Sequence, residues 1–219
     1  MNNEEINILY NLLKNTNYYK KFYNYNDENE NENYMNKINI DISINSANSK
    51  QLELIKNIVK DYPGIKPIIK IIKKILQIKE MNNPYKGGMS SYCLFLLLYS
   101  YIKLYYNNSK ENIIFNNDYG SLLIGFLYHY ITYVDFKCTI IDPHQINPFI
   151  IKSSLDSIPT IIEPITKQNA GKTIFKIFDV INIFYQIYKD IFLLMEEKKN
   201  FNIIYELIQK YLNEFRKKI

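Results

Sequence analysis

Residues 82–102 read NNPYKGGMSSYCLFLLLYSYI, and this stretch organises the rest of the chain. Gly87 and Gly88 interrupt a basic, isoleucine-rich helical pattern and precede a long apolar one. Serine is a good helix N-cap, so Ser90 and Ser91 predict the start of the second helix. The amides at a helix N-terminus, with their partial positive charge, also suit a phosphate group. A plain serine cap is the commoner of the two arrangements, and the local sequence leaves both open.

The flanking patterns are mainly helical. Before the stretch, isoleucines recur at helical spacing, and Lys66, Lys70, Lys73 and Lys74 fall on the opposite side of the same helix. Similar spacing predicts helices over residues 4–16, 50–60, 65–76, 92–106, 119–134, 173–195 and 200–217. The segment 135–172 is rich in Pro, Ser and Asp, and its pattern predicts neither a helix nor a strand.

One strand stands out near the N-terminus. In KINIDISIN, residues 37–45, isoleucine alternates with polar residues, which is the period of a half-buried strand. Asp41 lies in the middle of the polar side. Before this strand, residues 27–33 form an acidic, low-complexity loop. The sequence therefore predicts a mainly α fold, in which a strand-bearing segment at 1–47 precedes a helical domain at 48–219.

Composition narrows the class of protein. The chain has 219 residues, 47% of them hydrophobic, which is typical of a folded rather than a disordered protein. The net charge of +5 is compatible with a polyanionic partner but does not require one. With only two cysteines and no basic, apolar leader in MNNEEINILY, we expect an intracellular protein, nuclear or cytoplasmic, that makes no use of a membrane.

Three side chains have both a plain and a functional interpretation. Asp41 suits a solvent-facing strand residue or a metal carboxylate, and Mg²⁺ chemistry needs several such carboxylates together. Lys73 is either an ordinary surface lysine or a phosphate ligand. Tyr92 either packs in the core or stacks on a base. Walker A, GxGxxG, GxSxG and HExxH patterns are absent from the sequence.

The order of four segments resembles one known family. IDISIN at 40–45, then PGIKPIIKIIKKILQIKEMNNPYKGGMSSY from residue 63, DYGSLLIGFLYHY from residue 118 and IIEPITKQNAGKTIFKI from residue 161 resemble the non-canonical poly(A) polymerases and terminal uridylyltransferases, which belong to the DNA polymerase β-like nucleotidyltransferases. The resemblance covers roughly residues 37–192. It implies a helical poly(A)-polymerase-type central domain at 48–219, and a small β remnant of the catalytic palm domain at 1–47.

The resemblance also implies roles for individual residues. Asp41 falls on the third carboxylate that holds the catalytic metals, and Asn45 falls near the sugar and base of the incoming nucleotide. Ser90 and Ser91 lie at the phosphate-binding serine pair, and Tyr92 matches the tyrosine that stacks on the base. Lys73 matches the first phosphate lysine, and Gln168, Asn169 and Lys172 fall on the nucleotide recognition loop.

Three departures from the family pattern qualify this expectation. Gln77 replaces the second phosphate lysine, and Glu163 stands where the pattern has the Asp of its D-P pair. Gln168 stands where uridylyltransferases often have His, which favours ATP over UTP. The upstream G-S and D-x-D motifs, which supply the other two carboxylates, have no counterpart before Asp41.

The family chemistry, in which an RNA 3′-hydroxyl attacks the α-phosphate of a nucleoside triphosphate, would use Mg²⁺ or Mn²⁺ and ATP or UTP. Two hypotheses follow. In the first, the chain is the nucleotide-binding part of an RNA 3′-end polymerase, inactive alone, which binds a nucleoside triphosphate and an RNA 3′ end with the help of an RNA-binding partner protein. In the second, it is an inactive helical scaffold that binds RNA or protein.

Overall fold

The computed structural model describes residues 48–108, 119–196 and 203–217. Within these ranges it has six α-helices: α1 Asn48–Asp61, α2 Ile65–Ile78, α3 Ser91–Asn108, α4 Tyr119–Thr132, α5 Ile177–Glu196 and α6 Ile203–Arg216. Three short strands, β1 Thr139–Ile141, β2 Phe149–Ile151 and β3 Thr160–Ile161, lie between α4 and α5. The predicted strand at 37–45, with Asp41 and Asn45, lies outside the described residues, as does the whole of the predicted segment 1–47.

The prediction of a mainly α fold with a small β component is confirmed. The described sheet has the order β2-β1-β3, with β1 antiparallel to β2 and parallel to β3. It lies inside the segment 135–172, for which the sequence predicted neither a helix nor a strand. Its strands are two or three residues long, which is too short for a two-residue period to be recognised.

Helix α2 buries its isoleucine stripe as predicted. Ile65, Ile68, Ile72 and Ile75 are fully buried, whereas the four lysines predicted on the opposite side are exposed. Complete burial of one such aliphatic side chain contributes about 1.5–3 kcal/mol to folding. The stripe therefore fixes which side of α2 faces solvent, and with it the exposure of Lys73.

Helix α3 forms the centre of the helical core. Leu94, Leu96, Leu97 and Leu98 are all buried, so apolar contacts surround successive turns of the helix. The Tyr130 hydroxyl of α4 donates a 2.8 Å hydrogen bond to the carbonyl oxygen of Leu97, which satisfies the one polar atom of a fully buried ring. The apolar run within residues 82–102 is thus part of the core scaffold.

None of the described helices combines the length and the hydrophobicity that crossing a membrane would require.

A buried carboxylate joins α5 to α6. Asp190 is 7% exposed and accepts hydrogen bonds from Lys210 Nζ at 2.6 Å and Tyr211 Oη at 3.0 Å. A second ion pair, between Lys79 Nζ and Glu214 at 2.6 Å, joins the end of α2 to α6, but its side chains are 28% and 41% exposed. Because burial strengthens an ionic hydrogen bond and makes its loss costly, Asp190 is the main polar anchor of α6.

His129 is buried within an aromatic cluster. Its ring lies 4.6 Å from that of Phe149, 5.5 Å from Tyr101 and 5.3 Å from Tyr130, and neither ring nitrogen has a hydrogen-bond partner among the described residues. Burial lowers the pKa of His129 to about 4. The imidazole is therefore neutral in the folded protein at pH 7.

Replacement of Asp190 by Ala should lower the free energy of unfolding by about 2–4 kcal/mol, because it leaves the Tyr211 hydroxyl buried without its acceptor. Glu214→Ala is the matched control, because Glu214 forms the other described ion pair of α6, and loss of this exposed pair should cost about 1 kcal/mol or less. Urea unfolding followed by circular dichroism measures both values. Equal losses in the two variants would contradict the anchoring role of Asp190.

The stability of the protein should fall as the pH falls from about 6.5 to about 4. In this window the unfolded state binds a proton at His129 that the folded state does not, because the ordinary His pKa is about 6.5 and burial holds the folded value near 4. The groups around the ring are aromatic, so His129→Phe should give a shallower loss over the same window. Thermal melts from pH 7 to pH 4 test this, and parallel curves for the two proteins would refute it.

Candidate functional site

The link between α2 and α3 is a tightly bonded turn. The Asn83 side chain accepts a hydrogen bond from the amide of Tyr85, which begins the 3-10 turn Pro84–Lys86. The amide of Met89 donates to the carbonyl of Met81 at 2.8 Å and closes the loop. The first part of the 82–102 stretch therefore approaches the core as an ordered turn rather than as an open loop.

Both glycines of this turn are required by packing. Gly87 has a φ of +83°, and a Cβ there would lie 2.4 Å from the Phe175 ring. A Cβ on Gly88 would lie 2.4 Å from the carbonyl oxygen of Met81, which is backbone and has little freedom to move. The amide of Lys176 also donates to the carbonyl of Gly87 at 3.1 Å. These contacts bring the start of α5 against the turn that precedes α3.

Ser90 is the N-cap of α3. Its Oγ accepts a 3.0 Å hydrogen bond from the amide of Cys93, three residues on, which is the usual serine cap. Ser91, the first residue of the helix, is exposed. The two neighbouring serines thus differ: one hydroxyl is engaged by the backbone, and the other lies at the surface beside the helix N-terminus.

Tyr92 connects α3 to the distant turn 163–168. Its hydroxyl donates a 2.6 Å hydrogen bond to Oε1 of Glu163, which is 4% exposed. The Phe95 ring is a neighbour of the Tyr92 ring, with a centroid distance of 6.3 Å and an interplanar angle of 10°. The Tyr92 ring is half-buried, so part of it stays accessible while its hydroxyl is held.

Glu163 shapes its own turn as well. Its Oε2 accepts hydrogen bonds from the amides of Ile165, at 3.0 Å, and Thr166. The amide of Glu163 donates to the carbonyl of Gln168 at 2.8 Å, which brings the two ends of the turn together. The Gln168 side chain itself lies at the surface.

The electrostatics of this contact keep its two partners in fixed protonation states. Burial raises the pKa of the Tyr92 hydroxyl, and the hydrogen bond to Glu163 raises it further. Burial alone would raise the pKa of Glu163, but hydrogen bonds from Thr166, Tyr92 and Ile165 outweigh it and lower the pKa below its ordinary value. At neutral pH a protonated phenol therefore donates to an ionised carboxylate, a charge-assisted hydrogen bond.

Asn169 organises the segment that follows. Its Oδ1 accepts from the amides of Ile161 at 3.0 Å and Gly171 at 2.8 Å, while its Nδ2 donates to the carbonyl of Pro159 at 3.0 Å. It is also the N-cap of the 3-10 turn Ala170–Thr173, on which Lys172 is exposed. The Asn169 side chain thus holds the loop that presents Lys172.

The structure brings the start of α3 and the 163–172 segment together at two points. Besides the Tyr92 contact, Cys93 Sγ donates to the carbonyl of Ala170 at 3.1 Å.

Lys73 lies exposed on α2. Within the described ranges, no group of three or more His, Cys, Asp or Glu side chains is arranged to hold a metal ion. Asp41, the predicted metal ligand, and Asn45 lie outside the described residues.

Sequence reasoning did not predict two contacts at this site. Glu163 was noted only as a departure from the family pattern, and nothing in the sequence pairs it with Tyr92, 71 residues earlier. His144 Nε2 lies 2.7 Å from the carbonyl oxygen of Pro164, and because a carbonyl only accepts, this nitrogen carries the proton. The isolated His144 offered no sequence signal for that contact.

Sequence comparisons show similarity to poly(A) RNA polymerases, and no family model matches the chain. It is 32% identical over 94 residues to the poly(A) RNA polymerase cid14 of Schizosaccharomyces pombe, covering 42% of this chain and 14% of that protein. It is 31% identical over 112 residues to the poly(A) RNA polymerase gld-4 of Caenorhabditis elegans, covering 50% and 13%. These relatives are non-canonical poly(A) RNA polymerases, the family that the sequence motifs of this chain resemble.

One further relative in this family is described as inactive. The chain is 29% identical over 105 residues to the inactive non-canonical poly(A) RNA polymerase protein Trf4-2 of Drosophila melanogaster, which covers 47% of this chain and 26% of that protein. The chain spans only 14%, 13% and 26% of the length of these three relatives.

Two solved polymerase structures share the fold of this chain. The polymerase core of the RNA surveillance complex TRAMP superposes with a TM-score of 0.59 at 21% identity, covering 74% of this chain and 54% of that one. The Cid1 poly(U) polymerase, with Mg 3′-dATP bound, gives a TM-score of 0.53 at 19% identity, covering 71% and 58%. The predicted fold class, a helical domain of the poly(A) polymerase type, is confirmed.

Gly88→Ala should lower the free energy of unfolding by about 3 kcal/mol, because the new methyl group meets the backbone of Met81. Gly64→Ala is the matched control: its Cβ would approach only the side chains of Leu122 and Tyr119, at 3.1 Å and beyond, so a change of about 1 kcal/mol or less is expected. Denaturant titration compares the two variants, and equal stability would show that the turn yields to the extra methyl.

Proposed function

We propose that this chain is the nucleotide-binding part of a template-independent RNA 3′-end nucleotidyltransferase that favours ATP over UTP. The observation that carries the proposal is the convergence of the start of α3 with the 163–172 segment, through the contacts of Tyr92 with Glu163 and of Cys93 with Ala170. Similarity to the curated relatives supports the same proposal, since they are poly(A) RNA polymerases.

The proposed roles follow the two ends of a nucleoside triphosphate, its base and its phosphates. Tyr92 offers a half-buried aromatic face, on which a base can stack. Ser91 is exposed at the N-terminus of α3, where helix amides favour anions, and Ser90 caps the same helix. Lys73 adds a positive charge for the triphosphate. The base therefore belongs at Tyr92, and the phosphates belong toward Ser91 and Lys73.

The 3-10 turn Ala170–Thr173 supplies the recognition loop of the proposal. Asn169 holds this loop through its side chain. Lys172 is exposed on the turn, and Gln168 is exposed immediately before Asn169. A glutamine in place of the uridylyltransferase histidine supports a preference for ATP, since the histidine that would favour uracil is missing at this position. Asn45 is proposed to contact the sugar.

The metal-dependent chemistry is the part of the proposal that rests on the family alone. Asp41 would contribute one carboxylate to a Mg²⁺ or Mn²⁺ site, and no reaction step is assigned to it because it lies outside the described residues. RNA as the acceptor, an RNA-binding partner protein and a nuclear or cytoplasmic location are proposals of the same kind. Nucleotide binding is the step to test first, because the proposed contacts with the base and the phosphates lie within the described residues.

A second candidate function is a catalytically inactive scaffold that binds RNA or protein. The similarity to the inactive Trf4-2 polymerase supports it. Because a scaffold of this kind has no need of a nucleotide site, nucleotide binding separates the two candidates.

Addition of ATP with Mg²⁺ should raise the melting temperature of the chain. A ligand at a hundredfold excess over its Kd stabilises the folded state by about 2.7 kcal/mol, which corresponds to about 5–10 °C for a domain of this size. The increase should be smaller with UTP. Tyr92→Ala should abolish it by removing the stacking surface.

Tyr133→Ala is the matched control, since Tyr133 is a 64% exposed tyrosine that follows α4 and belongs to none of the proposed contacts. Its melting temperature should rise with ATP as that of the parent chain does. If ATP and UTP leave the melting temperature of the parent chain unchanged, the nucleotide-binding proposal is wrong and the scaffold function is favoured.

A further inference from the structure

Glu163 is a buried carboxylate that accepts a hydrogen bond from the hydroxyl of Tyr92, and its other donors all belong to its own turn, at Ile165 and Thr166. We propose that Glu163 is a positioning residue that sets the orientation of the Tyr92 ring for the base of a bound nucleotide, and that it couples this ring to the turn 163–168. This inference rests on the proposed function, because it assigns the Tyr92 ring to base binding.

The carboxylate is fully engaged within the protein. Oε1 receives the Tyr92 hydroxyl at 2.6 Å, and Oε2 receives the amides of Ile165 and Thr166. The side chain is 4% exposed. Glu163 is therefore placed to act through Tyr92 rather than to contact a nucleotide itself.

Two contacts at different points hold the Tyr92 ring. The hydroxyl is held by Glu163, and one ring neighbour is Phe95, at a centroid distance of 6.3 Å. A phenylalanine at residue 92 would keep the ring and its contact with Phe95 but lose the hydroxyl. The ring would then be free to turn away from the orientation that Glu163 imposes, which separates the positioning role from the stacking role.

The same residue closes the turn that precedes the proposed recognition loop. The amide of Glu163 donates to the carbonyl of Gln168 at 2.8 Å, and the amide of Lys167 donates to the carbonyl of Glu163 at 2.9 Å. Lys167 has a φ of +61°, in the left-handed region, so the turn is held in a conformation that an isolated peptide disfavours. A displacement of Glu163 would therefore move both the base platform and Gln168.

This arrangement predicts that loss of the contact between Tyr92 and Glu163 weakens binding of the base of a nucleotide and leaves binding of its phosphates unchanged. Tyr92 and Glu163 lie at the proposed base end of the site, whereas Lys73 and Ser91 are assigned to the phosphates. Inorganic tripolyphosphate carries the charge of the nucleotide without its base, so its binding should not depend on the orientation of Tyr92. A merely structural role of Glu163 would weaken both ligands alike.

The test is a double-mutant cycle on the full chain. The Kd values of ATP and of tripolyphosphate are measured by calorimetry for the parent, Tyr92→Phe, Glu163→Gln and the double variant. Each single change should weaken ATP binding roughly five- to twentyfold, the range expected for loss of one charge-assisted hydrogen bond that is partly transmitted to the ligand. The double variant should be no weaker than the weaker single variant, because both changes remove the same contact. Tripolyphosphate binding should stay within about twofold of the parent value by the same reasoning.

His144→Ala is the matched control. It removes the 2.7 Å contact with the carbonyl of Pro164 and so loosens the same turn without touching Tyr92. Its ATP affinity should stay within about threefold of the parent value, since the Tyr92 contact is intact. An equal loss in His144→Ala and Glu163→Gln would overturn the proposal, because general loosening of the turn would then explain both.

Three other results would also overturn it: ATP affinity unchanged in Tyr92→Phe, additive losses in the double variant, or a parallel loss of tripolyphosphate binding. Tyr92→Phe leaves the amide contacts of Glu163 in place, so it decides the question even if Glu163→Gln does not fold. If the parent chain binds tripolyphosphate but not ATP, or neither, the proposed function has failed together with this inference. Failure of the inference alone leaves ATP binding of the parent intact.

Discussion

The hydrogen bond from the Tyr92 hydroxyl to Glu163 joins two parts of the chain that lie 71 residues apart, and much of the candidate site depends on it. One partner stands in the first turn of α3 and the other closes the turn 163–168. Because burial and hydrogen bonding keep the phenol protonated and the carboxylate ionised, the contact persists at neutral pH. The contact of Cys93 with the carbonyl of Ala170 adds a second link between the same two segments.

Around this link, the predicted site residues divide into two groups by how their side chains are used. The side chains of Ser90 and Asn169 accept hydrogen bonds from backbone amides, Ser90 as the cap of α3 and Asn169 as the cap of the 3-10 turn Ala170–Thr173. Ser91 and Lys172 are exposed close to those caps. A site of this kind combines rigid supports with exposed ligands, which favours binding since the supporting residues are ordered before a ligand arrives.

The helical core holds the supporting residues of the candidate site in place. Helix α3 is surrounded by apolar contacts, Tyr130 ties α4 to the Leu97 carbonyl, and Asp190 anchors α6 against α5. Gly87 and Gly88 allow the turn before α3 to pack against Phe175 and the backbone of Met81. Both glycines therefore have a packing role in the turn.

The amino-acid sequence by itself determined the helical architecture, the exposed lysine face of α2, the serine cap at residue 90 and the family resemblance, because periodicity, caps and motif order are local properties. It did not reveal the small sheet, whose strands of two or three residues are too short to show a period. Only the tertiary structure decided which distant residues meet. Glu163 and His144 become partners of Tyr92 and Pro164 through the packing of α3, the sheet and the turn 163–168, and no spacing in the sequence encodes such long-range contacts.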